Sequence, residues 1–136
     1  MHKNLIIALA ERLVRDRSRT VAGRMHDKRM GEEAGYTLPP GWGLFNATGC
    51  QGFAPDHVCP YQPKKKPRGQ ELRPDDKAEH KRVSRIRLLV EHVIAGVKRC
   101  RIVPAIFRNT KAPCDDLVME IACGLHNFRA TLRYAI

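Results

Sequence analysis

The sequence predicts an α/β protein, and two features of its pattern carry that prediction. Short apolar runs of strand length lie in the first part of the chain, whereas two long segments with helical periodicity make up most of the second half. The chain has 136 residues, which is enough for one hydrophobic core and not for two. We therefore expect a single domain, 1–136, in which the strands come before the two long helices.

Three strands are expected, and the first two form a pair. Asn4 to Ala10 is an apolar run far shorter than the roughly 20 residues a membrane span needs, and Leu13 to Val21 is a second, more polar run. Glu11 and Arg12 lie between these runs, where a turn is expected. A brief third strand is expected at Trp42 to Phe45, between two turns rich in proline and glycine.

Three helices are expected as well. A short helix follows the first two strands, with Asp27 as its N-cap and Gly35 as its stop. A long helix starts near Pro74, where proline and acidic residues suit a helix N-terminus, and it runs to about Cys100. The last helix opens at Asp115. Its apolar residues repeat at helical spacing: Leu117, Ile121, Leu125, Phe128 and Leu132.

Charge is the most unusual feature of the composition. The formal net charge is +11 and the isoelectric point is about 9.9, which favours polyanionic partners, with nucleic acid before an anionic membrane surface. A soluble basic protein without a specific ligand is the plainer alternative. The five cysteines are odd in number and irregularly spaced, which is typical of a reducing cytoplasm and not of a disulfide scaffold.

A basic, proline-rich loop is predicted within the domain at 52–73. Lys64, Lys65, Lys66 and Arg68 form one cluster there, and a loop of this length in a compact domain is usually functional or disordered. A contact with the DNA backbone is one interpretation of this cluster, and solvated charge is the other. Such contacts give binding that depends on salt and tolerates many sequences.

Glu91 is the residue of the long helix whose role is least obvious. Ile86, Val90, Val93 and Val97 share the helix face expected to be the core, with Leu89 and Cys100 beside it, and Glu91 lies well off the centre of this face. Arg87 and Lys98 project near Glu91 from neighbouring turns. An exposed salt bridge with Arg87 is the simple interpretation. A metal-ligand role requires further carboxylates from separate elements of the fold.

Several segments, in this order and spacing, carry a resemblance to a known family. They are "HDKRM", "TGCQGF", "KKPRGQEL", "SRIRLLVEHVIAGVKRCRI" and "MEIACGLHNFR". Together they resemble the C-terminal part of the catalytic domain in bacterial insertion-sequence transposases of the DDE superfamily endonuclease group, relatives of Harbinger-type elements. The resemblance covers nearly the whole chain.

The resemblance implies a ribonuclease-H-like fold and Mg²⁺-dependent DNA strand cleavage and transfer. It implies two metal-binding aspartates and a glutamate on a following helix, and Glu91 matches that glutamate. Arg87 and Lys98 match the basic residues that flank it, with Ser84 where a tyrosine is common. With Arg99 and the basic loop, they are the expected contacts to DNA phosphates.

The sequence departs from the family pattern at the other two carboxylates. Ala47 stands where the second aspartate belongs, Cys50 stands where an aromatic residue is usual, and the first aspartate lies on a strand upstream of the segment that begins here at His2. We therefore expect a partial ribonuclease-H-like fold that lacks its first strand and keeps the long catalytic helix and the final helix. The chain is then a truncated transposase, or the downstream half of an element joined by frameshifting.

These departures lead to a transposase fragment that is inactive on its own as the main functional expectation. The expected partners are transposon-end DNA and either a second copy or an intact transposase, in the bacterial cytoplasm at the nucleoid and not at a membrane. A non-enzymatic DNA-binding module, or a modulator of a full-length transposase, is the alternative. An RNA-binding protein would need interleaved aromatic residues, and the chain is only 6% aromatic.

Three further groups of residues are weaker candidates for a functional role. Cys50, His57 and Cys59 lack the second pair of ligands that a structural zinc site needs. His26 is expected to serve local turn chemistry beside Asp27. Trp42 and Phe53 are expected to be core anchors.

Overall fold

The computed structural model describes residues 2–61, 68–105 and 112–134, and it is a mixed α/β structure, as predicted. Its strands are short and pair two by two. The elements in chain order are β1 His2–Lys3, β2 Ile6–Ala8, β3 Val14–Arg17, β4 Val21–Ala22, α1 Asp27–Ala34, β5 Gly43–Phe45, a 3-10 turn Thr48–Cys50, β6 Cys59–Tyr61, α2 Pro74–Lys98, α3 Ile102–Ala105 and α4 Ala112–Tyr134.

The chain forms two compact units. The first contains residues 1–25 and 89–136, and the second contains residues 26–88. Helix α2 supplies its first part to the second unit and its last part to the first. Because α2 is one continuous helix, the candidate site residues along it are described by their positions on the helix alone.

The hairpin of β2 and β3 confirms the expected pair of strands. The strands are antiparallel, with Ile6 opposite Arg17, and their register shifts after Ile7. The turn closes through a 2.8 Å hydrogen bond from the Leu9 N–H to the Leu13 carbonyl, and Arg12 adopts the left-handed conformation with φ 66°. Both strands are shorter than the apolar runs that predict them. The strands β1 and β4 form a separate two-stranded pair.

Two helices and this hairpin form the core of the first unit. Val93 and Val97 of α2 are almost fully buried, and they cluster with Val14 of β3 and with Met119 and Cys123 of α4. This confirms the core face predicted for the long helix.

Asn127 fastens α4 to β3. Its amide oxygen accepts the Val14 N–H at 2.7 Å, and its amide nitrogen donates to the Val14 carbonyl at 2.9 Å. Both bonds satisfy backbone groups of β3 on the side that faces the helix, so α4 completes the hydrogen bonding of this short strand.

The second unit is built on α1 and the parallel pair of β5 and β6. The rings of Phe45 and Tyr61 stack across this pair with their centroids 4.8 Å apart. Helix α1 lies against Phe53, whose ring leaves room for no side chain at Gly31. The Asn46 side chain is buried and donates to the Phe53 carbonyl at 2.7 Å, which fixes the loop after β5.

Several details differ from the expectations. His26, not Asp27, is the N-cap of α1, since its Nδ1 accepts the Lys28 N–H at 3.3 Å; Gly35 ends the helix in the left-handed conformation, as predicted. Helix α4 begins at Ala112, before the predicted start. Trp42 is 40% exposed and is not a core anchor.

The described part of the segment 52–73, residues 52–61 and 68–73, contains one strand, β6, that its composition does not suggest. Proline rarely lies inside a strand because it has no N–H to donate. Here the hydrogen bonds to the opposite strand come from the residues around Pro60: the Cys59 N–H donates to the Trp42 carbonyl, and the Tyr61 carbonyl accepts the Asn46 N–H. Pro60 is therefore tolerated in a sheet of only two strands.

Candidate nucleic-acid interface

Helix α2 is the scaffold of the candidate interface. Its first turn carries Pro74, Asp75 and Asp76 and its last turn carries Lys98, so charged side chains at both ends complement the helix dipole. At the end of the helix the hydrogen bonds span three residues instead of four, since the Cys100 N–H bonds to the Val97 carbonyl at 3.2 Å. One face is buried, and the rest of the surface is free to carry charge.

Arg87, Glu91 and Lys98 lie on one exposed face of this helix. At about 100° per residue, Arg87 lies about 40° and Lys98 about 20° from the direction of Glu91. All three side chains are exposed, and Arg99 is exposed just beyond the end of the helix. The face therefore presents one carboxylate between cations, as predicted.

The Glu91 carboxylate makes no hydrogen bond or ion pair within the described parts of the chain. The salt bridge with Arg87 that would give Glu91 a purely structural role is thus not formed among these residues. Pairs at this spacing do form on α1, where the Arg29 Nε lies 2.7 Å from the Glu33 carboxylate. Glu91 is available to a ligand or to water.

Ala47 lies at the position where the family resemblance implies the second aspartate. It lies in extended conformation directly before the 3-10 turn, after β5, and it makes no side-chain cap there. Its methyl group offers no oxygen ligand. The neighbouring Asn46 is buried, and its side chain is committed to the Phe53 carbonyl, so it does not replace the missing carboxylate.

A carboxylate does lie close to this turn, and the sequence alone did not reveal it. A side chain at Gly49 would collide with the Asp27 carboxylate, which projects from the first turn of α1. Burial and the nearby charge of Asp27 raise the pKa of the Cys50 thiol. The proximity of Gly49 in "ATGCQG" to Asp27 depends on tertiary packing that no local pattern encodes.

The described residues do not fit the divalent-metal site that the family resemblance implies. Among residues 2–61, 68–105 and 112–134, no group of three or more histidine, cysteine, aspartate or glutamate side chains is arranged to hold a metal ion. A two-metal site needs carboxylates that converge from several elements. No catalytic step through a metal is therefore derived for this chain, and the weak zinc candidate at Cys50, His57 and Cys59 gains no support.

The structure describes only part of the basic loop. Arg68 is exposed in a turn at the end of this loop. Lys64, Lys65 and Lys66 lie outside the described residues. All five cysteines are free, and the described part of the chain contains no helix long and apolar enough to cross a bilayer.

A second basic region lies on β3, and sequence reasoning did not single it out. Arg15, Arg17 and Arg19 alternate along the strand and its extension and line a cavity of about 420 Å³ together with Asp116 and Glu120. Arg17 pairs with Asp116 at 3.2 Å and with Glu120 at 3.6 Å. The alternating "RDRSR" was the available signal, but the acids that offset its charge come from distant α4.

Asp116 is the carboxylate of this cavity that accepts several hydrogen bonds. Its Oδ1 accepts the Thr20 N–H at 2.7 Å, the Thr20 hydroxyl at 2.9 Å and the Arg17 guanidinium at 3.2 Å. Partial burial acts to raise the pKa of Asp116, but the hydrogen bonds from Thr20 and the charge of Arg17 outweigh it and hold that pKa below its ordinary value. The cavity is thus locally compensated and not an open anion site.

Known proteins resemble this chain over most of its length. The sequence model of the DDE superfamily endonuclease family matches residues 2–127. The chain is also 28% identical over 111 residues to a probable transposase for insertion sequence element IS702 from Microchaete diplosiphon, an alignment that covers 82% of this chain and 40% of that relative. No solved structure matches the chain.

Proposed function

The chain belongs to the DDE superfamily endonucleases, and from this premise we propose that it binds DNA through the charged face of α2 without cutting it. The observation that carries the proposal is the exposed face on which Arg87 and Lys98 flank Glu91, a carboxylate with no partner in the part of the chain that the structure describes. The relative's description as an insertion-sequence transposase makes element-end DNA the proposed ligand.

The proposed parent fold is ribonuclease-H-like. Family membership supports it, as does the order of an antiparallel hairpin, a short helix, a further strand and a long helix that carries Glu91. In this fold Glu91 is the retained metal-ligand carboxylate, and Ala47 marks the lost aspartate. The match covers 40% of the relative's length, so strand transfer by the whole enzyme draws on more than the segment described here.

Electrostatics favour DNA binding by this surface. The net charge of +11 attracts a polyanion at long range, and exposed arginine and lysine side chains neutralise phosphates at contact. Arg87 and Lys98 are separated by about 16 Å along the helix axis, so the proposed contacts are to two separate phosphates that are not adjacent in the DNA. Arg99 and Arg68 are further proposed contacts, and Lys64, Lys65 and Lys66 lie in the adjoining sequence. Such contacts position the protein on DNA and do not read its sequence.

Filter binding over a salt series tests this interface. Replacing Arg87 and Lys98 together by Ala should weaken DNA binding and reduce the slope of log affinity against log salt by about 2, one for each lost phosphate contact. Arg82→Ala is the matched control, since Arg82 is exposed on the same helix but about 180° from Glu91. Equal losses from both variants would contradict a defined face on α2.

A nicking assay tests the absence of cleavage. We expect no cut in DNA carrying the element ends with either Mg²⁺ or Mn²⁺, because Glu91 has no carboxylate partners among the described residues. Cleavage that disappears in Glu91→Gln would overturn this part of the proposal and leave DNA binding untouched.

Modulation of a full-length transposase by mixed assembly is the second candidate function. The observation that favours it is a large exposed apolar face on α4, which suits a protein partner better than solvent. Co-purification with an intact relative tests it. Retention of the relative that is lost when α4 is altered supports the modulator function, and no retention contradicts it.

A further inference from the structure

Two free cysteines from different helices lie in the core of the first unit. Cys123 is on the inner face of α4 and is 7% exposed. Cys100 directly follows the last turn of α2 and is half-buried. Cys123 belongs to the buried cluster that contains Val93 and Val97, and Cys100 packs against this cluster. The two thiols therefore share one small region of the core.

The contact between α2 and α4 at Gly96 explains why these cysteines are neighbours. Gly96 lies so close to the His126 ring that a Cβ atom there would collide with it. Cys100 comes four residues after Gly96, and Cys123 comes three residues before His126, so each is about one helical turn from this contact. Val103, whose N–H donates to the Cys100 carbonyl at 2.8 Å, is in the same buried cluster as Cys123. Both turns therefore lie on the same side of the contact.

Helices packed in this way can bring two cysteines within bridging distance. Each Cα lies about 2.3 Å from its helix axis, so helices about 8–10 Å apart place directly facing Cα atoms about 4–6 Å apart. A disulfide requires roughly 4.4–6.8 Å between its Cα atoms. Gly96 and Ala122 supply small residues at this interface, which favours a close approach.

The surroundings of Cys123 indicate both the proximity of Cys100 and a route for a small oxidant. Burial raises the pKa of the Cys123 thiol, the charge of Arg17 acts to lower it, and the charge of Cys100 acts to raise it. A thiolate exerts such an effect only at short range. Cys123 also lines the cavity beside Arg17, through which a molecule as small as hydrogen peroxide can enter.

We propose that Cys100 and Cys123 form a reversible disulfide when the protein meets hydrogen peroxide. The Cys100 thiolate, which is the more exposed, attacks the peroxide: an S–O bond forms, the O–O bond breaks and hydroxide leaves, which gives a sulfenic acid. The Cys123 thiolate then attacks this sulfur, so that the S–S bond forms and the S–O bond breaks with loss of a second hydroxide. The hydroxides take up the two thiol protons. One peroxide is reduced by two electrons, one from each sulfur, and two waters result.

The bridge fixes the end of α2 to the middle of α4. A disulfide between positions 100 and 123 restricts the unfolded chain and so stabilises the folded one. Lys98 and Arg99 directly precede Cys100, so the modification constrains the end of the helix that carries them. The reaction needs neither DNA nor a metal, and it is independent of the proposed DNA interface.

Alkylation and intact mass test the bridge in a full-length chain that keeps only these two cysteines. Cys50→Ser, Cys59→Ser and Cys114→Ser remove the other thiols, and unchanged circular dichroism shows that the variant is folded. After brief peroxide treatment at low protein concentration, the unfolded monomer should take up no alkyl group until dithiothreitol reduces it, and then two. The melting temperature of the oxidised form should exceed that of the reduced form by at least about 5 °C.

A chain that keeps only Cys114 and Cys123 is the matched control. These residues are nine positions apart on α4, about 13.5 Å along the axis, which is too far for a disulfide within one chain. The control should therefore form no bridge in the monomer under the same treatment.

Three results would overturn the proposal. The first is a peroxide-treated Cys100–Cys123 chain that still takes up two alkyl groups. The second is a loss of thiols that dithiothreitol does not reverse, and the third is a bridge between two chains in place of one within the monomer. An equal yield of bridged monomer from the control would also contradict the pairing. None of these results affects DNA binding, which the salt series measures separately.

Discussion

The two long helices share one core but differ in the surface that faces away from it. Helix α2 presents Arg87, Glu91 and Lys98 there, whereas α4 presents a stripe of large apolar side chains, among them Leu125 and Phe128, which are each more than half exposed. Charged residues on a helix surface are well solvated, and a basic surface suits a polyanion. An exposed apolar stripe is unfavourable in water, and its burial against a partner lowers the free energy. The difference supports the proposal that DNA contacts α2 and that a protein contacts α4.

The largest expected effect comes from the two mid-helix glycines, one on each helix. Gly96→Ala should lower the free energy of unfolding by about 1–3 kcal/mol, because the new methyl group collides with the buried His126 ring, whose Nε2 bonds to the Arg12 carbonyl at 2.9 Å. Gly124→Ala meets no atom within 4 Å and should raise it by about 0.5–1 kcal/mol through helix propensity.

Urea unfolding at low protein concentration measures both changes, and each variant is the control for the other. Helix propensity alone would stabilise both by similar amounts. Effects of the same sign would therefore contradict the close approach of α2 to α4 at Gly96.

An intermediate effect is expected at Asp116, which ties α4 to the end of β3. A carboxyl group whose pKa is lowered by folding stabilises the protein above its ordinary pKa, and this contribution is lost as the pH falls through the folded-state value. Asp116→Asn should cost about 1 kcal/mol at neutral pH, a modest figure because the side chain is 35% exposed.

Thermal unfolding at a series of pH values checks this. The melting temperature of the wild type should fall through the acidic range more steeply than that of Asp116→Asn, which has no proton to gain at this position. Asp56→Asn, at an exposed aspartate of the second unit, is the control. Parallel curves for the wild type and Asp116→Asn would refute the role of these hydrogen bonds.

The smallest effect is expected at Glu91. Glu91→Gln should change the free energy of unfolding by less than about 0.5 kcal/mol, since the side chain is exposed and has no partner among the described residues. DNA affinity should rise slightly because one negative charge leaves the basic face. Added Mg²⁺ should shift neither melting temperature, and a rise in the wild type alone would reveal a metal site that depends on Glu91.

The inner elements were predictable where one periodic pattern had one meaning. The alternation around β2 and β3 and the apolar face of α2 each identify an element and its buried side, and Val93 and Val97 are buried as expected. Helix α4 was predictable as a helix, but its buried side was not. Its large apolar residues lie outside, and small ones such as Ala122 and Cys123 lie inside, where they allow close packing on α2 and β3.

The candidate site was likewise predictable from the sequence only where its geometry depends on a single helix. Helical spacing correctly places Arg87, Glu91 and Lys98 on one face, because spacing along a single helix fixes direction. The absence of an Arg87–Glu91 pair depends on side-chain conformation, and the contact between Asp27 and Gly49 depends on tertiary packing. Neither is encoded in a local pattern.

The hydrogen bonds between the Asn127 side chain and the Val14 backbone bear on the order in which the protein folds during synthesis. These two bonds join residues 113 positions apart in the chain. The β2–β3 hairpin leaves the ribosome early but gains its partner only when the last helix emerges. Until then the hairpin is an isolated two-stranded element of marginal stability, so the first unit is completed only after α4 has emerged.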